Sequence, residues 1–118
     1  MRVRVPLAAG AAGKAILAHL PDSILEALPL SKYTDRTPLN RTEIRKGLEL
    51  VRERGWALGD GERIPDGYGV AVPYFAENSV AGSITATIPR HRADELSLET
   101  LTAQLSAIAG AVTQLLSA

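Results

Sequence analysis

Apolar residues recur along this chain with two alternating periods, and the places where the period changes mark the elements. Arg2-Val3-Arg4-Val5 alternates polar and apolar side chains until Pro6, the rhythm of a strand with one buried face. Residues 7–13 are small and glycine-rich and lead into Lys14-Ala15-Ile16-Leu17-Ala18-His19-Leu20, a helix-favouring run stopped by Pro21. Asp22-Ser23 begins a second short helix that reaches Leu28 and ends at Pro29. Residues 30–40 are polar, contain a proline and lack periodicity, and they read as a surface loop.

Asn40-Arg41-Thr42-Glu43 offers a capping pair ahead of Ile44, Leu48 and Val51, which recur at helical spacing, and Gly55 sits where a C-terminal glycine belongs. Trp56-Ala57-Leu58 reads as a short strand, residues 59–69 as an acidic, glycine-rich loop, and Val70-Ala71-Val72-Pro73-Tyr74-Phe75 as a second strand. A turn at Asn78-Ser79 joins it to the β-branched run of residues 80–88, so the two strands form a hairpin on which Thr85 and Thr87 share one face. From Ser97 onward Leu98, Leu101, Leu105, Ile108, Val112 and Leu115 trace a long amphipathic helix. Helices flanking an antiparallel sheet make the expected class α+β.

The 118 residues, 46% of them hydrophobic and 22% charged, suffice for one domain, 1–118, with a single core. Thirteen basic residues balance thirteen acidic ones, and a chain that grips a phosphate backbone usually carries a basic excess. Direct contact with nucleic acid is therefore not expected. Cysteine is absent, which excludes disulfides, thiolate metal sites and a cysteine nucleophile, and suits the cytoplasm. The first twenty residues have basic and small apolar character, but Pro6, Lys14 and His19 interrupt them, so they are not read as a signal peptide. No run approaches the ~20 apolar residues of a membrane helix.

Catalytic constellations fail one by one. Gly10-Ala11-Ala12-Gly13-Lys14 lacks the first glycine of a phosphate loop, where Ala8 stands, and the hydroxyl after the lysine, where Ala15 stands. His19 and His91 show no paired ligand spacing, and Ser79 and Ser83 have no histidine near them in sequence. No enzyme, metal or cofactor is expected. Arg90-His91-Arg92 reads as a solvated turn.

Several runs, in order, resemble one family. Pro6-Leu7-Ala8-Ala9-Gly10-Ala11-Ala12-Gly13-Lys14-Ala15-Ile16-Leu17-Ala18 resembles the segment that opens the central helix of the effector-binding domain of IclR-type bacterial transcription regulators. Tyr33-Thr34, Val51-Arg52-Glu53-Arg54-Gly55-Trp56-Ala57, Gly59-Asp60-Gly61-Glu62, Val70-Ala71-Val72-Pro73 and Ser83-Ile84-Thr85-Ala86-Thr87-Ile88-Pro89 follow at the family's order and approximate spacing. The resemblance implies a GAF-like or profilin-like fold, incomplete at its N-terminus, that follows a helix-turn-helix domain absent from this chain and assembles as a dimer or tetramer. It implies a small-molecule sensor for a carboxylate or related metabolite that reaches DNA only through that missing domain.

Carried over by position, the family's effector pocket falls on the backbone of Ala11 and Ala12, on Asp60, on Gly69 in place of a frequent cysteine, and on the hydroxyls of Thr85 and Thr87. Tyr68, the seventh pocket position, adds an aromatic face where a basic residue is frequent; Ala8 stands where a histidine is, and Gly59 and Gly61 where acids are, and the loss of charge points to an effector less polar than a simple dicarboxylate. Each position also has an ordinary account: close packing for the alanines, a turn for Asp60, strand propensity for the threonines. The alternative reading is an interaction or dimerisation module with a vestigial pocket.

Overall fold

The computed structural model describes residues 7–117, so the strand expected over residues 2–5 lies outside it. Among the described residues the order is α1 (Ala11–Leu17), α2 (Asp22–Ala27), α3 (Arg41–Arg54), β1 (Ala57–Asp60), β2 (Gly67–Ala76), β3 (Ser79–Pro89), a 3-10 turn (Arg90–Glu95) and α4 (Leu98–Leu116). The strands form an antiparallel sheet in the order β1-β2-β3, with helices on both faces, which is the α+β class.

Strand alternation divides the core into two. On one face Ala57 and Ala71 meet Ala11, Ala15 and Leu17, and behind these stand Leu25, Ile44, Leu48 and Val51. Ile44, Leu48 and Val51 line one stripe of α3, as their spacing requires. On the opposite face Val70 and Val72 meet Leu105 and Ala109 of α4, with Trp56, Leu58, Tyr68 and Ile84 around them.

The helix ends are set by local chemistry. Asn40 Oδ1 accepts from the Glu43 N–H at 3.1 Å, Ser97 Oγ accepts from the Thr100 N–H at 3.2 Å, and Gly55 closes α3 in the left-handed region with φ of 88°. The expected acidic loop is shorter than its glycines imply. β1 runs on to Asp60 and β2 starts at Gly67, because Gly59 and Gly69 pair across the strands; only residues 61–66 are loop. The hairpin turn falls one residue earlier than expected, on Glu77 and Asn78, both with positive φ (51° and 68°), the backbone of a tight two-residue hairpin. α1 starts at Ala11, three residues ahead of the helix-favouring run, and ends at Leu17.

Candidate functional site

α1 enters against β1 at very short range. A Cβ placed on Gly59 would lie 2.7 Å from the Ala11 nitrogen, so only glycine lets the first turn of α1 settle there. Ser83 Oγ of β3 donates to the Ala12 carbonyl at 3.1 Å and fixes the same turn from the other side. Between that turn, the β2–β3 ladder and residues 61–66 lies a cleft of 270 Å³. Ala11 and Ala12 form one wall, Gly69, Thr85 and Thr87 another, and Glu62, Arg63 and Ile64 the third.

The threonines reach the cleft by register. Thr87 stands opposite Gly69 and Thr85 opposite Ala71, on the α1 face, and both remain exposed. Gly69 leaves space beside them: an added Cβ would sit 3.5 Å from Ala11 Cβ and 3.7 Å from Thr87 Oγ1. Five of the seven positions named from the sequence therefore meet in one place.

Asp60 and Tyr68 do not line it. They pair directly across β1 and β2, so they project together from the opposite face, where Tyr68 packs with Val70 and Leu105. Asp60 is tied between two arginines. Arg36 Nη1 lies 3.1 Å from Oδ2, and Arg90 Nε lies 2.9 Å from Oδ1, an ion pair by distance but off the line of a good hydrogen bond. Arg90, exposed in the turn after Pro89 as expected, is also part of a cross-link, and its N–H donates to the Asp66 carbonyl at 2.7 Å.

The acid on the cleft wall is Glu62. Its Oε1 accepts from the Gly10 N–H at 3.1 Å and its Oε2 from Lys14 Nζ at 2.8 Å, while Lys14 Nζ also donates to the Leu58 carbonyl at 2.5 Å. Both side chains of this pair are only 17% exposed. Gly61, with φ of 70°, breaks the strand alternation after Asp60 and turns the chain so that Glu62 comes back to the α1 side. The acidic run pointed to this loop, but alternation alone could not tell which acid faces inward. Arg63 and Ile64 had no sequence signal, and the stem of Arg63 lies over Gly10.

The loop is stapled from the other side as well. Thr34 Oγ1 donates to the Gly61 carbonyl, and Thr37 Oγ1 donates to the Glu62 carbonyl at 2.5 Å. Thr37, nine-tenths buried, also accepts from the N–H groups of Tyr33 and Thr34 at 3.0 and 2.8 Å. Residues 31–40 and 61–66 are therefore held together.

His19 lies away from the cleft, just past α1. Its ring meets Phe75 edge to face at 5.1 Å, its Nε2 is buried without a partner, and burial, with the positive charge of Arg52, holds its pKa below the ordinary imidazole range. Among the described residues no group of three or more acidic, histidine or cysteine side chains is placed to hold a metal, and no helix is long and apolar enough to cross a membrane.

Comparison with known proteins agrees with this fold. The HTH-type transcriptional regulator BhcR of Paracoccus denitrificans is 32% identical over 114 residues, 92% of this chain and 38% of that protein. The chain spans 33–38% of the length of the curated relatives it matches. The crystal structure of Thermotoga maritima IclR superposes with a TM-score of 0.88 at 25% identity, covering all of this chain and 51% of that one. An IclR homolog from Microbacterium hydrocarbonoxydans, crystallised with 4-hydroxybenzoate, superposes at 0.82 and 23% identity over 95% of this chain and 46% of that one, a likeness of fold alone. The family model for the bacterial transcriptional regulator IclR C-terminal region matches residues 3–114, and the chain belongs to that family of transcription regulators, in its C-terminal effector-binding domain.

Proposed function

We propose that residues 1–118 are the sensing part of a cytoplasmic transcription regulator, and that the cleft between α1, β2, β3 and residues 61–66 binds a small carboxylate. The observation that carries this reading is the meeting of Ala11, Ala12, Gly69, Thr85 and Thr87, far apart in sequence, around one 270 Å³ cleft. Two threonine hydroxyls supply hydrogen bonds, Arg63 supplies a cation at the rim, and Ala11, Gly69 and Ile64 supply an apolar lining that suits a ring or short chain. The 4-hydroxybenzoate bound by the Microbacterium homolog is of this kind. The site works by binding and not by turnover; occupancy biases the arrangement of α1 and the loop and so the action of an attached or partner helix-turn-helix domain. Homo-oligomers, dimers or tetramers, are the expected assembly.

Thermal unfolding in the presence of benzoate and 4-hydroxybenzoate tests this, because a ligand of the native state raises the melting temperature with concentration. Thr85→Val and Thr87→Val remove a hydroxyl each without changing shape, and each is expected to weaken binding by roughly five- to tenfold, the equivalent of one hydrogen bond to a charged or polar group. Cooperative melting that no acid shifts would reject the reading.

The interaction-module alternative has one observation in its favour, the apolar side chains that α4 leaves exposed: Ile108 is 50% and Leu115 is 76% accessible. They are compatible with a sensor that also self-associates, and so do not displace the first reading.

A further inference from the structure

An anionic side chain already occupies the wall of the proposed acid-binding cleft. Glu62 faces the cleft, and its two oxygens take the Gly10 N–H and the Lys14 ammonium. Lys14 does not itself line the cleft; it stands behind Glu62, held at 2.5 Å by the Leu58 carbonyl and only 17% exposed. An ammonium so far withdrawn from water needs a counter-ion, and the one it has is a carboxylate of the protein.

We propose that Glu62 is the gate of the cleft, a resident carboxylate that an acidic effector replaces at Lys14. The exchange conserves charge, since one carboxylate leaves the ammonium as another arrives, and Glu62 turns outward beside Arg63, its neighbour in sequence. A neutral analogue cannot make the exchange, because it would leave Lys14 uncompensated. The gate therefore demands an acid, whatever the rest of the effector looks like.

The displaced residue carries its loop with it. Gly61 and Glu62 carbonyls are the acceptors of Thr34 and Thr37, so movement at Glu62 loosens residues 31–40. Asp60, one residue before Gly61, ties the loop's origin to Arg90, outside both loops, which confines the change to residues 61–66 and the loop stapled to them.

This inference rests on the cleft being an acid-binding site, and its test separates the two. Glu62→Gln keeps an oxygen for the Gly10 N–H but removes the resident charge. Benzoate and acetate, measured by calorimetry, are expected to bind the variant about tenfold tighter than the parent chain, the worth of one charge-assisted contact; benzamide is expected to bind neither. A Glu62 that contacts the effector directly predicts the opposite sign. Equal or weaker binding of benzoate to the variant overturns the gate and leaves the acid-binding cleft standing. No binding of either acid to either protein overturns both. Amide spectra of the unaltered chain give a readout independent of the variant's folding: benzoate should move the Gly10 and Glu62 signals together with Thr87, and movement at Thr87 alone also overturns the gate.

Discussion

A methyl group is the smallest probe of the cleft, and two glycines receive it differently. At Gly59 the new carbon would lie 2.7 Å from the Ala11 nitrogen and 3.0 Å from Gly10 Cα, both backbone atoms with no rotamer to yield. Gly59→Ala is expected to cost about 2–3 kcal/mol in urea denaturation, the range of an overpacked core, and to push α1 off the sheet. At Gly69 the same carbon meets Ala11 Cβ at 3.5 Å and Thr87 Oγ1 at 3.7 Å, ordinary contact distances. Gly69→Ala should unfold within ~0.5 kcal/mol of the parent, since strand alanine also loses less backbone entropy than glycine, while narrowing the cleft and weakening benzoate. If both substitutions cost the same, the contact between α1 and β1 is not what fixes the cleft.

At the scale of elements, the end of α1 packs on β2 through an imidazole whose charged form burial disfavours. His19 packs edge to face on Phe75, and the Arg52 guanidinium, whose charge acts on the ring, donates from Nε to the Ala18 carbonyl next to His19 in sequence, with Asp22 3.4 Å from Nη2. Burial first, and Arg52 second, lower its pKa in the folded chain. The unfolded chain then takes up the proton more readily, so the contribution of His19 to stability is intact above the free-imidazole value of about 6.5 and declines as the pH falls through it. The drop in urea midpoint between pH 7 and pH 5 should be smaller for His19→Gln than for the parent, the carboxylates titrating alike in both; parallel curves would contradict the assignment.

What the sequence disclosed at this scale follows from how local each cause is. Asn40, Gly55 and Ser97 act on backbone groups within four residues, and the ends they mark were legible. The stripe of Ile44, Leu48 and Val51, and the shared face of Thr85 and Thr87, follow from period alone. The cleft needed more. Whether Asp60 or Glu62 faces α1 depends on the left-handed turn at Gly61 and on a lysine 48 residues away, and neither leaves a periodic trace. The family's pocket, carried over by position, falls on Asp60, but the partners that hold Asp60 elsewhere, Arg36 and Arg90, come from two distant segments.

For the whole molecule the remaining imbalance is on α4. The six apolar positions read from the sequence span a wider arc than the sheet covers: Leu105 is buried with Ala109, whereas Ile108 and Leu115, about 60–80° from Leu105 around the helix at ~100° per residue, face outward. A stripe wider than its own core is satisfied by a second surface, and in a chain of zero net charge little long-range repulsion opposes that meeting. Ile108→Ser combined with Leu115→Ser is therefore expected to shift sedimentation toward the monomer, without lowering the cooperativity of unfolding and without changing benzoate affinity, since neither residue lines the cleft. If parent and variant sediment alike as oligomers, assembly uses another face; if the variant loses benzoate as well, the helix face and the cleft are coupled through β2 and β3, which pack against both α1 and α4.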